Sequence, residues 1–393
     1  MKVKNVIFVG VLLTLFSCSK DSTEAYVDVD SYPNVTATFG TKINLNSLYN
    51  YANQAVPSYI TKFNGTTNPI TDKGATLGRV LFYDKKLSSN NTVACASCHQ
   101  QQFAFSDQVI ASTGVNGTTG RHSMRLINAR FANESKFFWD ERAASLEVQT
   151  TMPIKDHAEM GFSGANGDQD FNALITKLSA IGYYKELFKF VYGSEEITET
   201  KIQLALAQFI RSIQSFDSKY DVGRAQVANE GTLFPNFSQQ ENNGKNLFLT
   251  PPIFNANSVR TGGGLGCAGC HAAPEFDIDP NTLSNGIGGS LAGGPDFTNT
   301  RAPSLRDLVK TDSSVNTPMM HTAVITTLQA AIGHYGNLTQ AAINNSNLDP
   351  RLKPNGIGQQ LNLAATEVNS VIAFLQTLSG TNVYTDPKWS TPF

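Results

Sequence analysis

Cysteine and histidine are scarce in this chain, with five and six copies in 393 residues. An excess of positive charge is lacking as well. Lys and Arg number 30 against 32 Asp and Glu, a formal net charge of −2. No basic field is therefore present to hold nucleic acid. Beyond the first residues no long apolar run occurs, so no second apolar span is present. Long alternating apolar–polar stretches are missing too, which argues against a fold built on sheets.

Four of the five cysteines fall in two pentapeptides, Cys95-Ala96-Ser97-Cys98-His99 and Cys267-Ala268-Gly269-Cys270-His271. Each reads as a c-type haem attachment site, in which two thiols join the haem vinyl groups and the adjacent imidazole binds iron. A zinc site also uses paired Cys-x-x-Cys, but its pairs are usually separated by about 12–20 residues. Here 172 residues separate Cys95 from Cys267, and both pairs carry the same following histidine. Two covalent haem c groups, with Cys95, Cys98, Cys267 and Cys270 as attachment points and His99 and His271 as iron ligands, make electron transfer the first functional expectation.

The fifth cysteine, Cys18, ends a leader. Lys2 and Lys4 precede an apolar stretch from Val6 to Phe16 that is shorter than the ~20 residues needed to span a bilayer. Leu15-Phe16-Ser17-Cys18 is similar to a bacterial lipobox, so Cys18 is expected to be lipidated and to anchor the chain to a membrane surface. Haem c attachment also belongs outside the bacterial cytoplasm. The expected location is the cell envelope, as a periplasmic or outer-membrane lipoprotein. Loss of Lys2 and Lys4 with the leader takes the formal charge from −2 to −4.

Helical spacing recurs in Ile202, Leu206, Phe209, Ile210, Ile213 and Phe216, and in Val368, Val371, Ile372, Leu375 and Leu378 before Gly380. Residues 171–190 predict a further helix. Ser238-Gln239-Gln240-Glu241 is a capping box that opens a helix ahead of the second haem motif, where Leu77 to Phe82 stands ahead of the first. The expectation is a mainly α protein of two cytochrome c-like domains, each with one covalently bound haem c. Residues 1–17 form the leader, 18–40 a flexible tether, 41–237 the N-terminal domain and 238–393 the C-terminal domain.

Leu77 to Asp84, Cys95 to Asp107, Phe138-Trp139-Asp140-Glu141-Arg142-Ala143, Pro153-Ile154 with Glu159-Met160-Gly161, and Arg301 to Arg306 together resemble the bacterial di-haem cytochrome c peroxidase/MauG family. The resemblance implies that the N-terminal haem meets peroxide and the C-terminal haem relays electrons. It places Gln149 and Glu159, ten residues apart, over the first haem, with Glu159 as general acid/base and Gln149 as its hydrogen-bonding companion. Trp139 would lie between the haems as an electron conduit. Many members carry a distal histidine in a Ser-x-Gly-His loop. Here the stretch is Ser112-Thr113-Gly114-Val115-Asn116, so the first haem is expected to be five-coordinate without reductive activation, with His122 the nearest residue that could change this. His157 could tune the acidity of the site.

In the second half, Met319-Met320-His321 matches an anchor from which members count 14 residues to a distal Met; the residue there is Tyr335, as in MauG-type members that use it as a ligand. Tyr335 is the favoured sixth ligand, with Met319, Met320 and His334 as alternatives. A Met ligand raises a haem potential, whereas a phenolate lowers it. The family also holds one calcium ion. Asn316 and Pro318 match its carbonyl donors, while His122 stands where an Asn is usual. The implied activity is reduction of H₂O₂ with electrons from cytochrome c or another small redox protein. MauG-like oxidation of a partner protein is the rival, and a non-catalytic electron carrier the second. Members are often dimers, which leaves a homodimer open to this chain.

Overall fold

The computed structural model describes Met1 and residues 31–393, so Cys18 and most of the leader lie outside the described residues. The helices in chain order are α1 (Pro33–Phe39), α2 (Asp72–Tyr83), α3 (Cys95–Cys98), α4 (Leu146–Thr151), α5 (Phe171–Ser179), α6 (Gly182–Tyr192), α7 (Glu199–Ser212), α8 (Lys219–Arg224), α9 (Gln239–Leu249), α10 (Leu328–Gly336), α11 (Gln340–Ile343) and α12 (Ala365–Gln376). Strands are few and short. β1 (Pro252–Phe254) pairs antiparallel with β2 (Arg260–Gly263), and β3 (His271–Ala272) with β4 (Asp277–Ile278). No helix among the described residues is long and apolar enough to cross a membrane.

Two helix crossings organise the chain, α2 on α7 and α9 on α12. They repeat each other residue by residue. A Cβ at Gly78 would sit 2.0 Å from the Ala205 carbonyl oxygen, and one at Gly244 would sit 1.8 Å from that of Ser370. Only a residue without a Cβ lets the backbones approach so closely. One helical turn further along every helix, Phe82 meets Phe209 with ring centroids 5.1 Å apart and Phe248 meets Phe374 at 5.3 Å. In each crossing the first helix precedes a Cys-x-x-Cys-His segment and the second follows it. Ser238 and Glu241 form the expected reciprocal cap at the start of α9.

The helix bounds differ from the sequence expectation at four places, of which the smallest is α12, which ends at Gln376 and leaves Leu378 beyond it. The apolar face of α7 buries Ile202, Leu206, Phe209 and Ile210, but the helix stops at Ser212. Ile213 turns extended because its carbonyl accepts from the Asn128 N–H at 3.0 Å, a tertiary bond that a continuing helix would forfeit. The single helix expected over 171–190 is two, α5 and α6, broken at an extended Ile181. Gly182 there faces Asn34 so closely that a Cβ would meet its Oδ1 at 2.5 Å. The tether expected over 18–40 becomes a helix at Pro33. The Glu186 carboxylate accepts from the Asn34 and Val35 N–H groups at 3.0 and 2.9 Å, satisfying orphan donors of α1, while Val35 and Phe39 are buried.

Beyond α12 the tail crosses to the first crossing. The Tyr51 and Tyr83 hydroxyls donate to the carbonyls of Lys388 and Trp389, and Arg79 Nε donates to that of Ser390, all at 2.6 Å. Buried Trp389 donates its indole N–H to Ser212 Oγ at 3.3 Å. Stretches from opposite ends of the sequence thus frame the first haem motif.

Candidate active site

Cys95 to Cys98 form the single turn α3, braced by the Ala94 N–H donating to Ser97 Oγ at 3.0 Å. Ala104 and Phe105 follow with φ of 55° and 59°, a left-handed pair that is costly for residues with a Cβ. That turn aims the Phe105 carbonyl at His99 Nδ1, 3.0 Å away. A carbonyl only accepts, so Nδ1 carries the proton and Nε2 presents a lone pair. Burial lowers the imidazole's pKa and keeps it neutral. His271 is held neutral more strongly: burial, with Arg351 adding, brings its pKa to about 4, and its buried Nδ1 has no hydrogen-bond partner among the described residues.

The two motifs open on different cavities. Cys98 and His99 line one of about 410 Å³, and with Cys95 they also line an adjoining pocket of about 60 Å³. Cys267, Cys270 and His271 line one of about 670 Å³ whose walls are largely apolar. Burial pushes the Cys95 and Cys267 thiols up to about 12 and the Cys98 and Cys270 thiols to about 11. Thiol pairs that line separate cavities do not suit a shared four-cysteine zinc site. Free thiol pairs beside a neutral imidazole and a ligand-sized cavity do fit one haem c at each motif.

The small pocket against Cys95 and His99 is closed by Gly114, Gln149 and Glu159. Gln149 projects from α4, whose first turn is capped by Ser145. Glu159 is fixed through its backbone: its N–H donates to Asp156 Oδ1 at 3.0 Å, and its carbonyl accepts from the Val115 N–H at 3.0 Å. Gly114 is required for this docking, since a Cβ there would lie 2.0 Å from the Ala158 carbonyl oxygen. Burial, reinforced by Asp156 and opposed by Arg142, raises the Glu159 carboxyl to about 7. A carboxyl poised there suits proton transfer near neutral pH. His157 is not among the lining residues; its side chain is 40% exposed and its Nδ1 lies 2.9 Å from Asp168 Oδ2.

Trp139 lines both large cavities. Its indole N–H donates to the His122 carbonyl at 2.8 Å, and its ring stands edge-on to His321 with centroids 6.2 Å apart. His122 also lines both cavities, sharing the one of about 410 Å³ with Gln149 and Glu159, but it is not among the residues around the pocket of about 60 Å³. Its Nδ1 is 3.0 Å from the Val109 carbonyl, and its buried Nε2 has no partner among the described residues. Arg125 and Arg301 share this wall, both buried and lowered to about 10 by desolvation. They would hold carboxylates such as haem propionates. Sequence reasoning missed Arg125 because no spacing marks it.

At the second cavity Tyr335 projects from α10 with Leu328, Ala331 and Ile332, and Met319, Met320 and Pro318 line the same space. The Asn285 amide donates to the Tyr335 hydroxyl at 3.3 Å and lies 3.2 Å from the Met320 sulfur. Burial drives the phenol above its ordinary value. His334 is not among the lining residues, and its Nε2 bonds the Asn285 carbonyl at 2.8 Å. Asn285 is the polar residue here that sequence reasoning missed; it sits in a Gly/Asn-rich loop with no periodicity to single it out. Asn316 donates to the Asp307 carbonyl and to the Tyr384 hydroxyl, both at 2.7 Å, while its buried Oδ1 has no partner among the described residues.

Residues 72–227 match the family described as di-haem cytochrome c peroxidase. The methylamine utilization protein MauG of Methylophilus methylotrophus is 28% identical over 80% of this chain and 84% of its own length. The cytochrome c551 peroxidase of Nitrosomonas europaea is 26% identical over 78% and 80%. A crystal structure of a MauG-like protein associated with microbial copper homeostasis superposes with a TM-score of 0.65 at 26% identity, covering 86% of this chain and 99% of that one. The family match thus lies on residues 72–227, and the similarity to MauG and to cytochrome c551 peroxidase extends over about four-fifths of the chain.

Proposed function

We propose that the chain reduces H₂O₂ to water in the Glu159 pocket, with electrons that enter at the second cavity from a cytochrome c or another small redox protein. The observation that carries this is Glu159 itself, a carboxyl held at about 7 in a pocket shared with Cys95, Cys98 and His99. Haem c, held by Cys95 and Cys98 with His99 and by Cys267 and Cys270 with His271, would supply the redox chemistry that cleaves peroxide and would pass on the donor's electrons. Glu159 takes the proton from the nearer peroxide oxygen and returns it to the departing one, which leaves as water. Gln149 orients the peroxide by hydrogen bonding. Val115 takes the place of the histidine in the Ser-x-Gly-His loop to which Ser112 to Val115 correspond, which supports a first haem that needs no reductive activation. Trp139 provides the conduit through the shared wall.

A second reading, MauG-like oxidation of a partner protein, is favoured by Tyr335. A phenolate ligand there stabilises ferric iron, which suits storage of oxidising equivalents better than acceptance of electrons from a high-potential donor. Two further assignments complete the proposal: a lipid anchor at Cys18 in the cell envelope, and a calcium ion at the Asn316 and Pro318 carbonyls. The division into domains at 41–237 and 238–393 is supported by the duplicated helix crossing. Low-temperature EPR of the ferric protein before and after H₂O₂ tests the central reading. A high-spin signal that peroxide removes, beside a low-spin one, is expected; two low-spin signals indifferent to peroxide would overturn it.

A further inference from the structure

Next to the first haem motif lies a buried carboxylate that the proposed reaction does not use. Asp84 caps the end of α2, and Phe82, two residues earlier, lines the pocket shared by Cys95 and His99. Asp84 Oδ1 accepts from the Lys86 N–H at 2.9 Å. Its Oδ2 accepts from two phenols, Tyr183 at 2.6 Å and Tyr184 at 2.8 Å. The two rings lie 4.7 Å apart between centroids, and Tyr184 is fully buried. Around them, Lys86 Nζ lies 3.0 Å from the Tyr183 hydroxyl and Lys177 Nζ donates to the Ser88 carbonyl at 2.9 Å. Burial and the Asp84 charge hold the Tyr184 phenol well above its usual value.

A phenol that loses an electron must also lose its proton, and in a protein interior that requires a base already within hydrogen-bond reach. The tyrosines bonded to the tail, Tyr51 and Tyr83, have only backbone carbonyls for this. Tyr183 and Tyr184 have a carboxylate, through short charge-assisted bonds. We infer that Tyr184 and Tyr183, with Asp84 as proton acceptor, form a one-electron reserve for the first haem site.

The inference rests on the peroxidase reading and deepens it. Reduction of H₂O₂ to two waters takes two electrons and two protons. When the external one-electron donor has supplied only one electron, Tyr184 supplies the other. Its O–H bond breaks, the electron goes to the peroxide site and the proton to Asp84 Oδ2, leaving a neutral tyrosyl radical shared with Tyr183. The two protons that make water come from solvent. The next donor electron restores the phenol as Asp84 returns its proton. Because one carboxylate oxygen serves both rings, the pair holds one oxidising equivalent at a time.

The experiment is freeze-quench EPR of the holoprotein mixed with H₂O₂ and limiting donor, with a nitroso spin trap mapped by peptide mass spectrometry. A narrow organic-radical signal and an adduct on Tyr183 or Tyr184 are expected. Both should be lost in Tyr183→Phe/Tyr184→Phe, and in Asp84→Asn, which keeps both phenols. The single variant Tyr184→Phe serves if the double one misfolds. A signal unchanged in these variants, or an adduct elsewhere, overturns the inference. Absence of the radical under limiting donor, in a wild-type protein that consumes peroxide when donor is in excess, also overturns it and leaves the peroxidase reading standing. Failure of the wild type to consume peroxide at all sinks both.

Discussion

The Trp139 indole N–H donates to the His122 carbonyl oxygen across 2.8 Å, inside the wall shared by both cavities. That bond fixes the ring plane. Replacing Trp139 with Phe leaves both haem attachment motifs intact but strands a buried carbonyl, a loss of about 1–3 kcal/mol. The expected variant carries both haems, melts at a lower temperature and transfers electrons between them more slowly. Unchanged single-turnover transfer would remove the conduit role.

Glu159→Gln keeps the size of the side chain and removes its acid/base capacity. Peroxide turnover should fall by about 10²–10⁴-fold while haem absorbance is retained. In the wild type, turnover should rise with pH through about 7, where Glu159 becomes a base, and the variant should lose that limb. Full activity in the variant would end the acid/base assignment.

Asp307 is a structural counterpart. Burial raises its carboxyl to about 6, although the Gly380 N–H and the Tyr384 hydroxyl donate to it at 2.9 and 3.1 Å. The folded chain therefore holds a proton that the unfolded chain releases, so this contribution to stability is present at low pH and is lost as pH rises through about 6. Denaturation of Asp307→Asn should show a flatter slope between pH 4 and 6. An unaltered slope would mean that another group carries it.

Tyr335→Phe should change the low-spin EPR signal of the second haem and spare the high-spin signal of the first. If Met319 or Met320 is the ligand instead, the low-spin signal will be the same in wild type and variant.

Gly78→Ala places a methyl group 2.0 Å from the Ala205 carbonyl, and Gly244→Ala places one 1.8 Å from that of Ser370. Each should cost about 1–3 kcal/mol by overpacking, read as a lower melting temperature. Equal stability to wild type would show that the crossings have slack.

The sequence by itself determined the chemistry that depends on local spacing. Cys-x-x-Cys-His, the capping box at Ser238 and the apolar faces of α7 and α12 are relations between residues a few positions apart, and short-range geometry settles them. Tertiary structure decided whatever depends on a distant partner. The break at Ile181 answers to Asn34, the end of α7 answers to Asn128, and the helix at Pro33 depends on Glu186. The same holds within the candidate site. Gln149 and Glu159 carry no local signal of their own, and Arg125 and Asn285 carry none at all. Trp139 sits in the wall of both cavities only because chain segments far apart in sequence are buried together, where desolvation and long-range hydrogen bonds, not periodicity, set position and charge.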